Sequence, residues 1–248
     1  MQMVNLKPKR LSHKQVAEAI SQFGSEEAFG TAFATVMRRV YGYMFMGLIA
    51  TALVAFWVSG FDAFWDWYWE SAWGIWVILW SPLLLLFVLL FVEQFVSHTV
   101  EVLLFLVYSA VFGFSIAVSI QGFTTASVFS TFIVTCLLFG AMSVYGLVTK
   151  RCLASWGSFL FAGLIGLIIA MVVNIFIMND GLSFVISLAG IAIFMGLTAY
   201  DTKTLKETLL ESPSECKANK IAIQGALLLY LNFIILFLRL LSLKGKKN

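Results

Sequence analysis

Ala199-Tyr200-Asp201-Thr202-Lys203 closes one long apolar run, and Leu229-Tyr230-Leu231-Asn232-Phe233 lies inside the next, with a charged connector between them. The runs themselves are too apolar for a soluble core, and the carboxylate and amide they carry are expensive in hydrocarbon. Such groups face a protein interior or a water-filled cavity. These two stretches therefore define both the fold class, a helical membrane bundle, and the place where its chemistry is to be sought.

The rest of the composition agrees. Hydrophobic residues make up 61% of the 248, charged residues only 12%, and the mean hydropathy is +0.95. A soluble domain carries about 25% charged residues, so the chain is an integral membrane protein in contact with a lipid bilayer. Seven apolar stretches reach the roughly 20 residues needed to cross a bilayer as helices. They lie near Val36 to Ser59, Ala72 to Phe95, Val100 to Ile120, Ala126 to Val148, Ser155 to Met178, Leu182 to Tyr200 and Ile221 to Leu241. A β-barrel is excluded, because barrel strands read as short alternating segments rather than continuous apolar runs. Pro82 is expected to kink the second span. Gly42, Gly47, Gly163, Gly166, Gly190 and Gly196 are expected to permit close helix approach.

Residues 1–35 form a polar N-terminal segment, disordered or a surface helix, and residues 36–248 the membrane domain. Lys7 to Glu27 does not read as a cleavable signal peptide. Lys7, Lys9, Arg10, Lys14, Arg38 and Arg39 precede or open the first span, which places the N-terminus in the cytoplasm by the positive-inside rule. Of the 16 basic residues, all but Arg239, Lys244, Lys246 and Lys247 fit seven crossings in that orientation. A re-entrant last segment would bring those four back inside, but it would bury non-helical backbone. Seven crossings are therefore expected in a cell membrane, the inner one in a Gram-negative cell.

The net charge of +3 carries no nucleic-acid signature. Cys136, Cys152 and Cys216 show no zinc spacing and are expected to be reduced packing residues. No phosphate loop, dinucleotide fingerprint or fixed metal site is present, and no cofactor is expected. An enzyme is not expected either: an intramembrane aspartyl protease needs two facing aspartates, and His98 stands beside no nucleophile motif.

Ionisable and amide side chains in or beside the spans are few. Glu93, Glu101 and Arg239 are close enough to segment ends to extend to the interface. Asn174 and Gln224 read as interhelical hydrogen-bond partners. Asp62, Asp66 and Glu70 lie in a tryptophan-rich connector that reads as an interfacial aromatic belt, with a cation-attracting mouth as the sharper alternative. Asp201 and Asn232 are the principal candidates, and Glu93, Glu101, Asp62, Asp66 and Glu70 the secondary ones.

Met37-Arg38-Arg39-Val40-Tyr41-Gly42-Tyr43-Met44, followed by Gly47 and Thr51-Ala52-Leu53, resembles the start of the first span in the Bax inhibitor-1 (transmembrane Bax inhibitor motif) family. Ala199 to Lys203 and Ala226 to Ile234 resemble the family's sixth and seventh spans. The resemblance covers the whole membrane part in order. It implies seven helices with the last one central and wrapped by the other six. It also implies a pH-sensitive calcium leak gated by two aspartates near the cytoplasmic side. Asp201 matches the first aspartate, while the second is Asn232 here, so a coupled pair is reduced to one titrating group. The arginine that latches the pair in the characterised bacterial relative has no counterpart in the second connector. The family's links to cell-death control and to membrane-protease quality control imply a regulatory alternative, with a membrane ATP-dependent protease as partner. Asn232 lies about 16 Å into a helix beginning at Ile221. It can meet Asp201 only if the sixth helix continues past Asp201 and tilts, or if a cytoplasmic funnel enters the membrane.

Overall fold

The computed structural model describes residues 25–92, 95–149, 154–211 and 215–246. The calls made on residues 1–24, Glu93, Lys150, Arg151, Cys152 and Lys247 lie outside the described residues, as does the side chain of Cys216. Eight helices are found among the described residues: α1 Glu26–Ser59, α2 Asp62–Glu70, α3 Gly74–Val92, α4 His98–Ile120, α5 Thr125–Val148, α6 Ala154–Ile177, α7 Asp180–Glu211 and α8 Glu215–Lys244. All except α2 are long and apolar enough to span a membrane.

The helix ends follow from local chemistry. Ser25 Oγ accepts from Ala28 N at 3.0 Å and starts α1, so the helix that carries the first span begins at Glu26. Thr124 caps α5 by accepting from Ser127 N. Asn179 Oδ1 accepts from Leu182 N at 2.9 Å, and Met178 adopts a left-handed φ of 52°, which together turn α6 sharply into α7. Three helices exceed expectation in length. At 1.5 Å per residue α1, α7 and α8 are each about 45 to 50 Å long, well beyond a bilayer core of about 30 Å. The polar start of α1 and the charged end of α7 prolong apolar helices that have no breaker at the membrane surface.

The last helix is the core. In its most apolar window 72% of residues are buried, against 33% or less in every other span. One side of α8 packs against α1 and α4, and the other against α5 and α7. The first contact is aromatic and polar. Tyr230 is fully buried, with its ring edge-on to Phe105, Tyr108 and Phe112 of α4 and its hydroxyl 2.7 Å from Thr51 Oγ1 of α1. The second is an aromatic zipper, in which Phe233 and Phe237 meet Phe132 and Phe139 of α5. The outermost helices are α3, packed on α4, and α6, packed on α7. Residues such as Phe56, Leu137 and Phe176 point outward, where lipid replaces protein contact.

Both ends of the bundle have a definite character. Arg39 Nη1 donates to Asn219 Oδ1, Lys206 Nζ sits over the Phe33 ring, and Lys220 pairs with Glu101, all at the end where α1 begins and α7 gives way to α8. We call this the cationic end. At the other end, Thr124 N donates to Lys246 O and Lys246 N to Ser127 Oγ at 2.9 Å. Lys246 is thus clasped to the α4–α5 connector, and α8 is one unbroken helix running from the cationic end to this one, without the non-helical backbone of a re-entrant segment. The Asp62-to-Glu70 connector is itself the helix α2. It buries Phe64 and Tyr68 and leaves Asp62, Asp66 and Glu70 exposed.

Glycine use is more selective than the sequence implied. A Cβ at Gly47 would strike Phe105 and Ser109, and one at Gly196 would strike Leu160, but Gly42 and Gly166 face open space. The helix α3 runs through Pro82. Cys136 is a free thiol on an exposed face and not a packing residue.

Candidate functional site

Asp201 sits ten residues before the end of α7, and its backbone is held by close approach on two sides. Gly146 of α5 abuts the Ala199 backbone so tightly that a Cβ there has no room. Gly157 of α6 lies against the Tyr200 ring, with a Cβ position 2.5 Å from the phenol. On the same helix, the Thr198, Thr202, Thr204 and Thr208 hydroxyls donate to carbonyls four residues back. Those hydroxyls satisfy themselves within α7, while the Asp201 carboxylate reaches across to α8. Asn232 Nδ2 donates to Asp201 Oδ2 at 2.6 Å. Asn232 is buried and Asp201 partly buried. The depth difficulty is resolved by the first of the two expected routes: α7 continues past Asp201 to Glu211, supported by the Lys203–Glu207 pair at 3.9 Å, and so runs alongside α8 at that level.

Chemically, the pair is one carboxyl and one amide. An amide can donate to an ionised carboxylate or, turned over, accept from a protonated one. It therefore accompanies a single titration without titrating itself. Among the described residues no group of three or more His, Cys, Asp or Glu is placed to hold a metal ion. The site can present one charge to a passing cation, but it does not form a cage.

The secondary candidates divide. Asp62, Asp66 and Glu70 lie on α2, which follows the far end of α1 from the cationic end, and are not joined to Asp201. Glu101 does not extend to the interface as expected. It is 4% exposed and turned inward, with Lys220 Nζ of α8 at 3.7 Å and His98 Nδ1 at 3.8 Å. His98 in turn meets Tyr43 Oη of α1 at 3.1 Å through Nε2. Arg239 also stays among helices, donating to Met171 Sδ of α6 and covering Gly190 of α7. Asn174 acts as expected: its Nδ2 donates to Ser183 Oγ of α7 at 2.7 Å.

Two features escaped the sequence reading, the Tyr230–Thr51 link and the Lys220–Glu101–His98–Tyr43 chain. The His98/Glu101 spacing of one helical turn was a visible signal for the second. Lys220 lay within a charged connector and gave no sign that it would turn inward.

A helical bundle of this kind, with an acid and an amide paired between its last two spans, defines a multi-pass membrane protein with an intramembrane polar site. The sequence matches the family described as "Inhibitor of apoptosis-promoting Bax1" over residues 33–248. The chain belongs to this Bax inhibitor-1 family. It is 38% identical over 216 residues to the inner membrane protein YbhL of Escherichia coli K12, covering 86% of this chain and 92% of that one. It is 34% identical over 231 residues to the uncharacterized protein RP147 of Rickettsia prowazekii, covering 93% and 98%. An uncharacterized protein of Caulobacter vibrioides is 43% identical over 148 residues, 59% of each chain.

Proposed function

We propose that this protein is a calcium-permeable leak pathway whose conducting route passes Asp201. The observation that carries the reading is the Asp201–Asn232 hydrogen bond, which ties the one partly buried aspartate of α7 to the most buried helix of the bundle. A carboxylate there attracts a cation at the level where α7 and α8 must separate for passage, and the amide opposite it closes the route by hydrogen bonding. Calcium is the transported ion and no fixed cofactor is involved. The protein is not an enzyme on this reading. It lies in a cell membrane, the inner one in a Gram-negative cell, with the cationic end and the N-terminus in the cytoplasm.

The test is calcium flux into dye-loaded liposomes at pH 6 and pH 8. Asp201→Asn should reduce flux to background, and Asn232→Asp should add a pH-dependent transition by restoring a coupled pair. Absence of flux from the folded native protein at both pH values overturns the reading.

A second reading, a regulatory membrane protein acting through a partner, is favoured by the family description itself, which names an inhibitory action on another protein. The partner we propose for this reading is a membrane ATP-dependent protease. Copurification with such a protease, lost on removal of residues 1–35, would support it over transport.

A further inference from the structure

Between Ile221 and Leu243 the last helix carries a single charged residue, Arg239. It lies about 7.5 Å along the axis from the end of α8 at Lys244. Among the described residues no carboxylate forms an ion pair with it. The acid of α7 nearest in sequence on that side, Asp180, is exposed and stands about 15 Å along the helix from Gly190, the residue that Arg239 covers. A charge without a partner inside a membrane bundle is expensive, and such residues mark sites whose partner has to be found.

The arginine reaches its place through a gap left by a missing side chain. A Cβ at Gly190 would stand 3.1 Å from both Arg239 Cγ and Cδ, and 3.5 Å from Leu167 Cδ2 of α6. The stem therefore passes alongside Gly190 towards α6. There Nη2 donates to Met171 Sδ, while Nε is buried without a hydrogen-bond partner. A guanidinium has five N–H donors and a thioether is a weak acceptor, so most of the donor capacity is unused. One turn further along the same seam, Ser187 Oγ of α7 donates to Ser242 Oγ of α8 at 3.3 Å. The wall beside these groups is apolar and faces outward: Ile168, Val172 and Ile175 of α6 are exposed around the half-buried Met171.

We propose that Arg239 is the anchor of a phospholipid site, which takes the phosphate of an anionic lipid from the leaflet at the C-terminal end of α8. A phosphate offers paired oxygens to the guanidinium fork, the arrangement in which arginine binds oxyanions best. Met171 is the group it displaces, a flexible side chain that repacks at little cost. The exposed face of α6 then carries the acyl chains. A dissolved phosphate would have to leave water for that apolar wall, whereas a lipid brings its phosphate with chains that the wall suits. A zwitterionic lipid carries an ammonium of its own; a lipid of the phosphatidylglycerol type has a net negative charge that cancels the one left uncompensated here. Bound there, it joins α8 to α6 across α7. The site does not depend on the leak reading.

The test uses the full-length protein in detergent micelles with phosphatidylglycerol, phosphatidylethanolamine or inorganic phosphate added. A ligand of the native state raises the unfolding midpoint, and native mass spectrometry counts the lipids retained. Phosphatidylglycerol should raise the midpoint and stay bound at one per chain, phosphatidylethanolamine should act more weakly, and inorganic phosphate should do neither. Arg239→Gln should weaken phosphatidylglycerol binding by about tenfold or more, Arg239→Lys by less, and Lys244→Gln, an exposed cation at the same end, should leave it unchanged. Gly190→Ala, which fills the gap taken by the stem, should also weaken binding and stands in should Arg239→Gln fail to fold. Binding insensitive to the Arg239 and Gly190 substitutions overturns the proposal. So does an equal loss in Lys244→Gln, the mark of diffuse surface attraction, or an effect of inorganic phosphate that matches that of the lipid.

Discussion

At the residue scale, α8 carries two polar side chains with opposite tasks. Tyr230 faces α1 and α4 and is fully buried, while Asn232, two positions on, faces α7. Tyr230→Phe keeps the ring packing and removes one hydroxyl. Thr51 still has a carbonyl acceptor for its single hydroxyl hydrogen, Ser109 O at 2.8 Å or Gly47 O at 3.0 Å, so the loss should be about 1 kcal/mol in reversible unfolding in detergent. Asn232→Leu removes the donor to Asp201 and leaves a carboxylate unsatisfied between helices. Its cost should be larger, about 1 to 3 kcal/mol. Comparable losses from the two variants would mean that Asp201 finds another donor and that Asn232 is not its closing partner.

At the scale of elements, contact between α5 and α7 depends on a missing side chain. A Cβ at Gly146 would lie within the Ala199 backbone, which cannot yield as a flexible side-chain tip would. Gly146→Val should therefore push the two helices apart, at about 1 to 3 kcal/mol from overpacking, and displace Asp201 two residues further on. Thermal unfolding in detergent reads the first effect, and calcium flux the second. Gly42→Ala is the matching control. Its Cβ meets nothing within 4 Å, and exchanging glycine for alanine inside a helix should be neutral or stabilising by up to about 1 kcal/mol.

For the whole molecule, the arrangement fixes which termini and connectors share a face. The clasp between Lys246 and Thr124 puts the end of α8 with the α4–α5 connector. In a background with the native cysteines replaced, single cysteines at positions 124 and 246 should react with an impermeant maleimide from one side of sealed vesicles, and one at position 206 from the other. Labelling of 206 and 246 from the same side would contradict a complete last crossing. The same measurement on right-side-out cells assigns the cationic end to the cytoplasm or to the exterior.

The sequence by itself determined the membrane class, the seven spans and their order, because about 20 contiguous apolar residues have few other stable environments and backbone in lipid must be helical. It also singled out Asp201 and Asn232, because a polar side chain in an apolar run is visible without coordinates. It could not show that they touch: that required α7 to continue ten residues beyond Asp201, through a charged segment that reads as a connector. Nor could it show that Glu101 turns inward to Lys220, that α2 is a helix, or that Gly146 and not Gly42 sets a helix contact. Each of these depends on which face of a helix meets a neighbour. When lipid and protein interior are equally apolar, hydropathy does not record that face. Only packing decides it, through the fit of side chains and the pairing of polar atoms that lipid would leave unsatisfied.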